Sequence, residues 1–193
     1  MKNALLLFFL FMFTFTACKK KNDAPQTQTL QLQNDGFTTG GAKAFQAGFV
    51  VGETAEVTLG PVSNTFQVTA VQFLFGGTGA TPASRDIVLK IYKDIGVGTP
   101  GALLFSSTYS IAASDNQLQQ IDLRDKLIVV NGGGSIRVAI EMTAAGLPSV
   151  AVDQDGTVKA TANWIKTGGS WVSSPSLGLS GDFIIRATVE KNL

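Results

Sequence analysis

The sequence predicts an all-β fold, an antiparallel β-sandwich. After residue 36, short runs rich in Val, Ile, Phe and Thr recur along the chain, and Gly, Pro, Asn and Ser separate them. About ten short strands with turn signals between them are typical of two packed antiparallel sheets. In addition, no long segment carries apolar residues at the spacing of a helix.

Each predicted strand is a run of alternating or β-favouring residues bounded by turn residues. In chain order the predicted strands are residues 44–51, 53–59, 65–75, 87–93, 103–111, 117–123, 127–130, 135–143, 150–152, 161–165 and 182–190. The alternation is clearest in residues 135–143, where Ile136, Val138, Ile140 and Met142 share one side. We expect this side to face the core.

The predicted strand at residues 65–75 contains an irregularity. Its apolar residues occupy even positions up to Ala70 and odd positions from Val71 onward. Because side chains alternate between the two faces of a strand, this change predicts a bulge or a bend near Ala70 and Val71.

The first 17 residues have the organisation of a secretory signal peptide. Lys2 supplies a positive charge, residues 4–15 are apolar apart from Thr14, and Thr16 and Ala17 are the small residues that signal peptidases require. A transmembrane anchor is the alternative, but a spanning helix needs about 20 apolar residues. The apolar run stops short of that at a lysine triplet.

The only cysteine of the chain, Cys18, directly follows this segment. Residues 15–18, Phe-Thr-Ala-Cys, resemble the lipobox of bacterial lipoproteins. The resemblance implies that Cys18 carries a diacylglycerol and, after cleavage, an acyl chain such as palmitate on its amino group. An ordinary cleaved signal with a free thiol is the alternative. Lys19 follows the cysteine where a retention signal would place aspartate, so the resemblance implies the outer membrane, with the side that the protein faces left open.

Composition excludes several classes of site. The chain has 193 residues, one cysteine and no histidine, so Ser-His-Asp and Cys-His catalysis and the commonest zinc sites are absent. Without the signal peptide and the lysine triplet, acidic residues outnumber basic ones. Such a body is a poor partner for nucleic acid, because affinity for phosphate depends on clustered Lys and Arg.

The chain divides into three predicted parts. Residues 1–17 are the signal peptide, residues 18–35 are the lipidated cysteine and a flexible tether, and residues 36–193 are a single β-sandwich domain. The tether is predicted from its Gln- and Thr-rich, polar composition and from Pro25.

Two phrases late in the chain point to a family of modules. Residues 98–104 read GTPGALL and residues 181–187 read GDFIIRA. Together with intervening phrases in the same order, they resemble the jelly-roll-like β-sandwich modules of secreted and surface proteins of Bacteroidota and other bacteria. The resemblance covers residues 68–189 and implies a jelly-roll-like fold, which carries many functions.

Two tryptophans form the first candidate site. Trp164 and Trp171 flank residues 166–170, and a hairpin there would display an indole to solvent. Sugar rings stack on such surfaces, because an aromatic face offers a large rigid area at a small cost in entropy. The alternative is that both tryptophans pack at the edge of the sandwich.

Two aspartates form the second candidate site. Asp153 and Asp155, two residues apart and followed by Gly156, match a fragment of a calcium-binding loop. The distant glutamate of the full motif is missing, and a plain Asx-type turn is the alternative. No cofactor other than calcium is suggested.

The sequence thus favours a lipid-anchored cell-envelope protein that acts as a non-catalytic binding module, with a glycan or another envelope protein as its partner. A structural or assembly subunit that pairs through exposed strand edges is the alternative. Carboxylates such as Asp122 and Glu141 leave a glycoside hydrolase as a third, less favoured hypothesis.

Overall fold

The computed structural model describes residues 26–79, 83–96 and 98–192. Within them the regular structure consists of fourteen β-strands and two short 3₁₀ helices, Arg124–Lys126 and Ser174–Leu177. The predicted all-β class is confirmed. No helix in this part of the chain is long and apolar enough to span a membrane. The predicted signal peptide, Cys18 and the first residues of the tether lie outside the described residues.

Short strands follow one another along the chain. They are β1 (Thr27–Leu32), β2 (Lys43–Phe45), β3 (Thr54–Val62), β4 (Phe66–Phe73), β5 (Phe75–Gly76), β6 (Ser84–Lys93), β7 (Leu103–Ala112), β8 (Gln119–Asp122), β9 (Ile128–Val130), β10 (Gly134–Met142), β11 (Ser149–Asp153), β12 (Asn163–Thr167), β13 (Ser170–Ser173) and β14 (Ile185–Asn192).

The strands form two main antiparallel sheets. The five-stranded sheet has the order β1-β14-β4-β8, with β9 also paired to β4, and the six-stranded sheet has the order β13-β12-β3-β10-β6-β7. A small sheet of β2, β11 and β5 accompanies them. Apolar residues from both main sheets form one continuous core. The predicted antiparallel β-sandwich is therefore confirmed.

Strand β10 shows how the predicted alternation produces this core. Ile136, Val138, Ile140 and Met142 are all fully buried in it. They lie on the face that the sequence predicts to be inward. Each fully buried aliphatic side chain contributes about 1.5–3 kcal/mol to folding, so this face accounts for much of the stabilisation that the strand provides.

The predicted irregularity in residues 65–75 is a β-bulge. Thr188 of β14 lies opposite Ala70, whereas the next residue, Val189, lies opposite Val68. Thr69 is therefore the extra residue of β4, and its hydroxyl donates to the carbonyl of Thr188 at 3.2 Å. The bulge returns apolar side chains to the core on both sides of it.

The predicted tether is wrong for Thr27–Leu32. These residues form β1 and pair with β14 along the edge of the five-stranded sheet. Leu30 and Leu32 pack against the core, while the glutamines between and beside them stay exposed. The period-two alternation of leucine with polar residues decides the structure here, although the polar composition suggests an unstructured segment. The folded body consequently begins before the predicted boundary at residue 36.

The chain after β1 is fixed by a buried ion pair. Asp35 is fully buried and accepts hydrogen bonds from the guanidinium of Arg186 on β14, at 3.1 Å from its Nε. The same guanidinium donates to the carbonyl of Phe37. Phe37 in turn packs in a small second core with Leu74 and Ile184. This segment covers the part of β14 that faces away from the main core.

Candidate functional site

The two candidate tryptophans lie on one β-hairpin. Strands β12 and β13 are joined by Gly168 and Gly169, which both have positive φ, 56° and 83°. This two-residue turn favours glycine, because both central positions need the left-handed region. The predicted hairpin is thus present, and it extends beyond the predicted strand 161–165 by adding β13.

Both indoles lie on the same face of the six-stranded sheet. Trp171 is opposite Lys166, and Lys166 is two residues from Trp164 on β12. Side chains two residues apart share a face, and that face is the outer one, because Ile165 between them points into the core. Trp171, on the edge strand β13, and Trp164, on the next strand β12, are both half-buried, so each packs against its neighbours and presents part of its surface to solvent.

A buried charge network lies next to Trp164. Trp164 is opposite Glu56 on β3, and the guanidinium of Arg137 on β10 donates to Glu56 at 3.0 Å. The Arg137 Nε donates to Asp94, just after β6, at 2.7 Å. The side chains of Glu56 and Arg137 are only 0% and 2% exposed. One guanidinium therefore serves two carboxylates within the protein.

Trp164 covers this network. Its ring centroid lies 5.2 Å from the guanidinium carbon of Arg137, a distance at which the cation is attracted to the aromatic face. Gly98 contributes its carbonyl, which accepts from Arg137 at 3.3 Å. A Cβ built on Gly98 would lie 3.6 Å from the Trp164 ring. The indole, the guanidinium and this backbone segment thus lie against one another.

A cavity opens between these groups. Its volume is about 170 Å³, and we call it the indole cavity, lined by Thr58, Asp94, Gly96, Gly98, Arg137, Thr161 and Trp164. Three buried polar atoms in or beneath it have no hydrogen-bond partner in the structure: Trp164 Nε1, Thr58 Oγ1 and Glu56 Oε2. Buried polar atoms are nearly always paired, so this concentration is unusual, although all three atoms are closed to solvent. The indole cavity beside them is the candidate ligand site because Trp164 lines it together with Asp94 and Arg137.

Glu56 has an unusual protonation equilibrium. Burial raises the pKa of Glu56 from 4.5 to about 7, and this effect outweighs the lowering caused by the hydrogen bond and charge of Arg137. The nearby Asp94 charge raises the pKa further. Near neutral pH the network therefore exchanges between two charge states.

A larger cavity of about 310 Å³ lies where Phe49, Ile165 and Leu179 meet. Its one carboxylate, that of Glu53, is bonded at both oxygens, to the backbone N–H of Val50 and to the hydroxyl of Thr167. The chain itself therefore satisfies this carboxylate.

The candidate calcium aspartates have other contacts. Asp153 is 1% exposed and accepts from the backbone N–H groups of Gly36 at 2.7 Å and Asp182 at 2.8 Å. Burial raises the pKa of Asp153, which these hydrogen bonds oppose. Asp155 accepts from the N–H and the hydroxyl of Thr157, which lower its pKa.

Asp155 thus forms the Asx-type turn that the sequence offered as the alternative to calcium binding. No group of three or more His, Cys, Asp or Glu side chains among the described residues is placed to hold a metal ion.

The carboxylates considered for glycoside hydrolysis are each in an ion pair. Glu141 bonds Lys90 at 2.6 Å, and Asp122 bonds Arg124 at 2.7 Å. The second pair is largely exposed to solvent.

Sequence reasoning identified Trp164 but not the partners around it. Glu56 and Arg137 lie in two predicted strands, residues 53–59 and 135–143, and Arg137 is on the side opposite to the one predicted to face the core. In each of these strands the charged residue stands between apolar neighbours, which is the one signal that the sequence contains. The two residues are 81 positions apart, and nothing in the sequence indicates that they pair. Asp94 and Gly98 belong to a turn segment whose course over the sheet has no signature in the sequence.

A scan against protein-family models gives no match, and a search of curated proteins gives none. Among solved structures, the chain is similar to the clostridial cysteine protease Cwp84 after propeptide cleavage, with 13% identity, a TM-score of 0.55 and coverage of 86% of this chain and 40% of that chain.

It is also similar to the structure of the cysteine protease and lectin-like domains of Cwp84, a surface layer associated protein of Clostridium difficile. Here the identity is 14% and the TM-score 0.51, with coverage of 72% of this chain and 32% of that chain. This chain thus spans less than half of either structure. At this identity the similarity shows a shared fold.

Proposed function

We propose that this chain is a lipid-anchored protein of the bacterial cell envelope that acts as a non-catalytic binding module for glycans. The observation that carries the proposal is the β12–β13 hairpin, which holds Trp164 and Trp171 on one outward face, with Trp164 lining the indole cavity. Aromatic faces next to polar side chains such as those of Asp94 and Thr161 suit a ligand that has both apolar C–H faces and hydroxyl groups. A lectin-like domain in a protein of similar fold agrees with this assignment.

The anchor and the location rest on the sequence. Residues 15–18 resemble a lipobox, and a lipidated Cys18 would hold the protein to a membrane, with the outer membrane as the expected site. Several acyl chains anchor a protein stably, whereas one chain alone binds only marginally. The module would therefore meet glycans or envelope proteins while fixed at the membrane.

The test is a glycan-array screen of the protein with calcium present or chelated. We expect binding that Trp171→Ala weakens and that Trp171→Phe largely retains, because phenylalanine keeps an aromatic face. Calcium dependence would contradict the hydrogen-bonded arrangement of Asp153 and Asp155 described above. Turnover lost in Asp122→Asn or Glu141→Gln would instead indicate an enzyme. An array without binding would contradict the proposal.

One observation favours an assembly role as a second candidate. Strand β7 is the outer strand of the six-stranded sheet, spans ten residues and contains neither charge nor proline. Natural proteins usually protect such edges with lysine or proline. An assembly role predicts oligomers that grow with concentration, that Thr108→Lys dissociates and that Trp171→Ala leaves unchanged. Light scattering across a concentration series distinguishes this role from glycan binding.

A further inference from the structure

We infer that the outer edge of β7 is a dimer interface, at which two copies of this chain pair antiparallel with the two-fold axis at Thr108. The inference rests on the assembly role, the second candidate above, and adds to it the partner and the register of pairing. It does not depend on glycan binding. It combines the direction of the backbone groups of β7, the symmetry of its side chains and its lack of charge.

Every second residue of β7 turns its backbone N–H and C=O away from the sheet. The N–H of Ala113, just after β7, donates to the carbonyl of Ala83 at 2.7 Å, and the pairing of β6 with β7 is regular from there back to Phe105. In an antiparallel pair, residues bonded to the neighbouring strand alternate with residues whose backbone groups point the other way. No strand among the described residues pairs with this outer edge. The residues that direct their backbone groups along it are exposed: Ser106, Thr108 and Ser110.

These three positions are symmetric about Thr108. When a second β7 runs antiparallel with Thr108 opposite the partner's Thr108, Ser106 lies opposite the partner's Ser110. Each of these pairs exchanges two backbone hydrogen bonds, about six in all. Ser and Thr side chains opposite one another are a favourable cross-strand pair. The edge is thus complementary to itself.

The side chains on the inner face select this register. Phe105, Ser107 and Tyr109 are half-buried and lie opposite buried residues of β6. With Thr108 on the axis, the small Ser107 faces the partner's Tyr109, and Phe105 faces the partner's Ile111, an aromatic and β-branched pair that stabilises sheets. An axis at Ser107 would set two serines against each other, and an axis at Tyr109 would set two tyrosines against each other. Only the axis at Thr108 pairs small with large.

The edge lacks the features that keep a second copy away. Edge strands are usually protected by charge, proline or a bulge. Strand β7 has neither charge nor proline, and its one register shift lies at its beginning, before Phe105. The other edge of the same sheet, β13, has only four residues, so it offers β7 a much shorter partner. Pairing of β7 with itself uses both free edges and closes, which gives a dimer and not an open chain.

The dimer leaves the tryptophan hairpin free. Strands β12 and β13 lie at the edge of the six-stranded sheet opposite to β7. The two-fold axis of an antiparallel edge-to-edge pair is perpendicular to the sheet, so the outer faces of both copies look the same way. Trp164 and Trp171 of both copies would therefore lie on one side of a continuous sheet. A ligand with two binding units could engage both copies and gain avidity.

Cysteine cross-linking of the full chain in detergent tests the register. In a hydrogen-bonded pair the two Cα atoms at position 108 would be about 5.5 Å apart, within the range of about 4.4–6.8 Å that a disulfide spans. Ser106 is also exposed, but it would lie about 14 Å along the strands from the partner's Ser106. Under mild oxidation we expect Thr108→Cys to form a covalent dimer about tenfold faster than Ser106→Cys. Gln31→Cys, on the edge strand β1, controls for random collision, and the wild type controls for Cys18.

Sedimentation equilibrium in a density-matched detergent measures the mass of the protein alone. We expect monomers and dimers in exchange, without larger species. Thr108→Lys should weaken dimerisation about tenfold, because it sets two like charges directly opposite each other. Thr108→Ser, which adds no charge, and Trp171→Ala, at the far edge of the sheet, should leave the dimer unchanged.

The outcomes separate this inference from the proposals above. A monomer at every concentration overturns both the inference and the assembly role. Larger open oligomers, or dimers in which Thr108→Cys cross-links no faster than Ser106→Cys, overturn the inference and leave the assembly role standing. The glycan array tests the glycan-binding function independently of all these results.

Discussion

Glu56 couples the stability of the protein to pH. Burial raises its pKa from 4.5 to about 7, so between these values the folded protein retains a proton that the unfolded chain has released. The free energy of unfolding therefore falls as the pH rises from about 4.5 to 7 and changes little above that range. The full contribution of this group is about 3 kcal/mol.

Glu56→Gln should remove this dependence, because glutamine resembles the protonated carboxyl and keeps an acceptor for Arg137. We expect the variant to be more stable than the wild type at pH 8 and to approach it near pH 5. Urea unfolding at pH 5, 6, 7 and 8 measures the difference, with Glu190→Gln as the control at a half-exposed position. A constant difference between variant and wild type at all four values would show that Glu56 stays ionised in the folded protein.

Residue-level prediction from the sequence succeeded where the signal was local. The inward side of β10 and the bulge at Thr69 follow from the positions of apolar residues alone. The outward side of β10 did not follow, because Arg137 is buried by Trp164 and by residues after β6. The burial of Arg137 depends on Trp164 and Gly98, which are distant from it in the sequence, so the residues around Arg137 do not indicate it.

At the level of elements, β1 decides where the folded body begins. Leu32 is half-buried against the core, whereas its neighbour Gln31 points away and is exposed. We expect Leu32→Ala to lower the free energy of unfolding by about 1–2 kcal/mol, less than the 2–5 kcal/mol of a fully buried leucine. Gln31→Ala should change it by less than about 0.5 kcal/mol.

Denaturant unfolding of the two variants measures this contrast. A flexible tether would make both substitutions neutral, so equal midpoints would contradict the strand assignment.

Element prediction shows the same division between local and distant information. Strands with alternating apolar residues, such as β6 and β10, were predicted close to their observed positions. The tether prediction failed at β1, where polar composition outweighed a short alternation. Strand β13 was not among the predicted strands, although a hairpin between the two tryptophans was considered, because its sequence, Ser-Trp-Val-Ser, has no alternation of its own and the strand forms by pairing with β12.

At the level of the whole molecule, the chain enters the sandwich at the end opposite to the turn of the tryptophan hairpin. Thr27 begins β1 opposite Asn192, and the adjacent Lys191 lies opposite Phe66 at the start of β4. This is the end at which β3 finishes. The hairpin turn follows Lys166, which pairs with Thr54 at the start of β3.

Strand β3 separates these two ends by nine residues, about 30 Å at about 3.3 Å per residue. A protein anchored through Cys18 would therefore hold the hairpin turn away from the membrane even with a short connection. We expect deletion of residues 21–24 to leave the glycan affinity of the vesicle-bound lipoprotein within twofold of the full-length protein. Surface plasmon resonance on captured vesicles measures this, and Cys18→Ser, which should fail to remain on the vesicles, controls for anchoring. A marked loss of affinity on shortening would indicate that the glycan contacts the part of the sheet near the chain entry, where Asp94 follows β6, and not the part next to the hairpin turn.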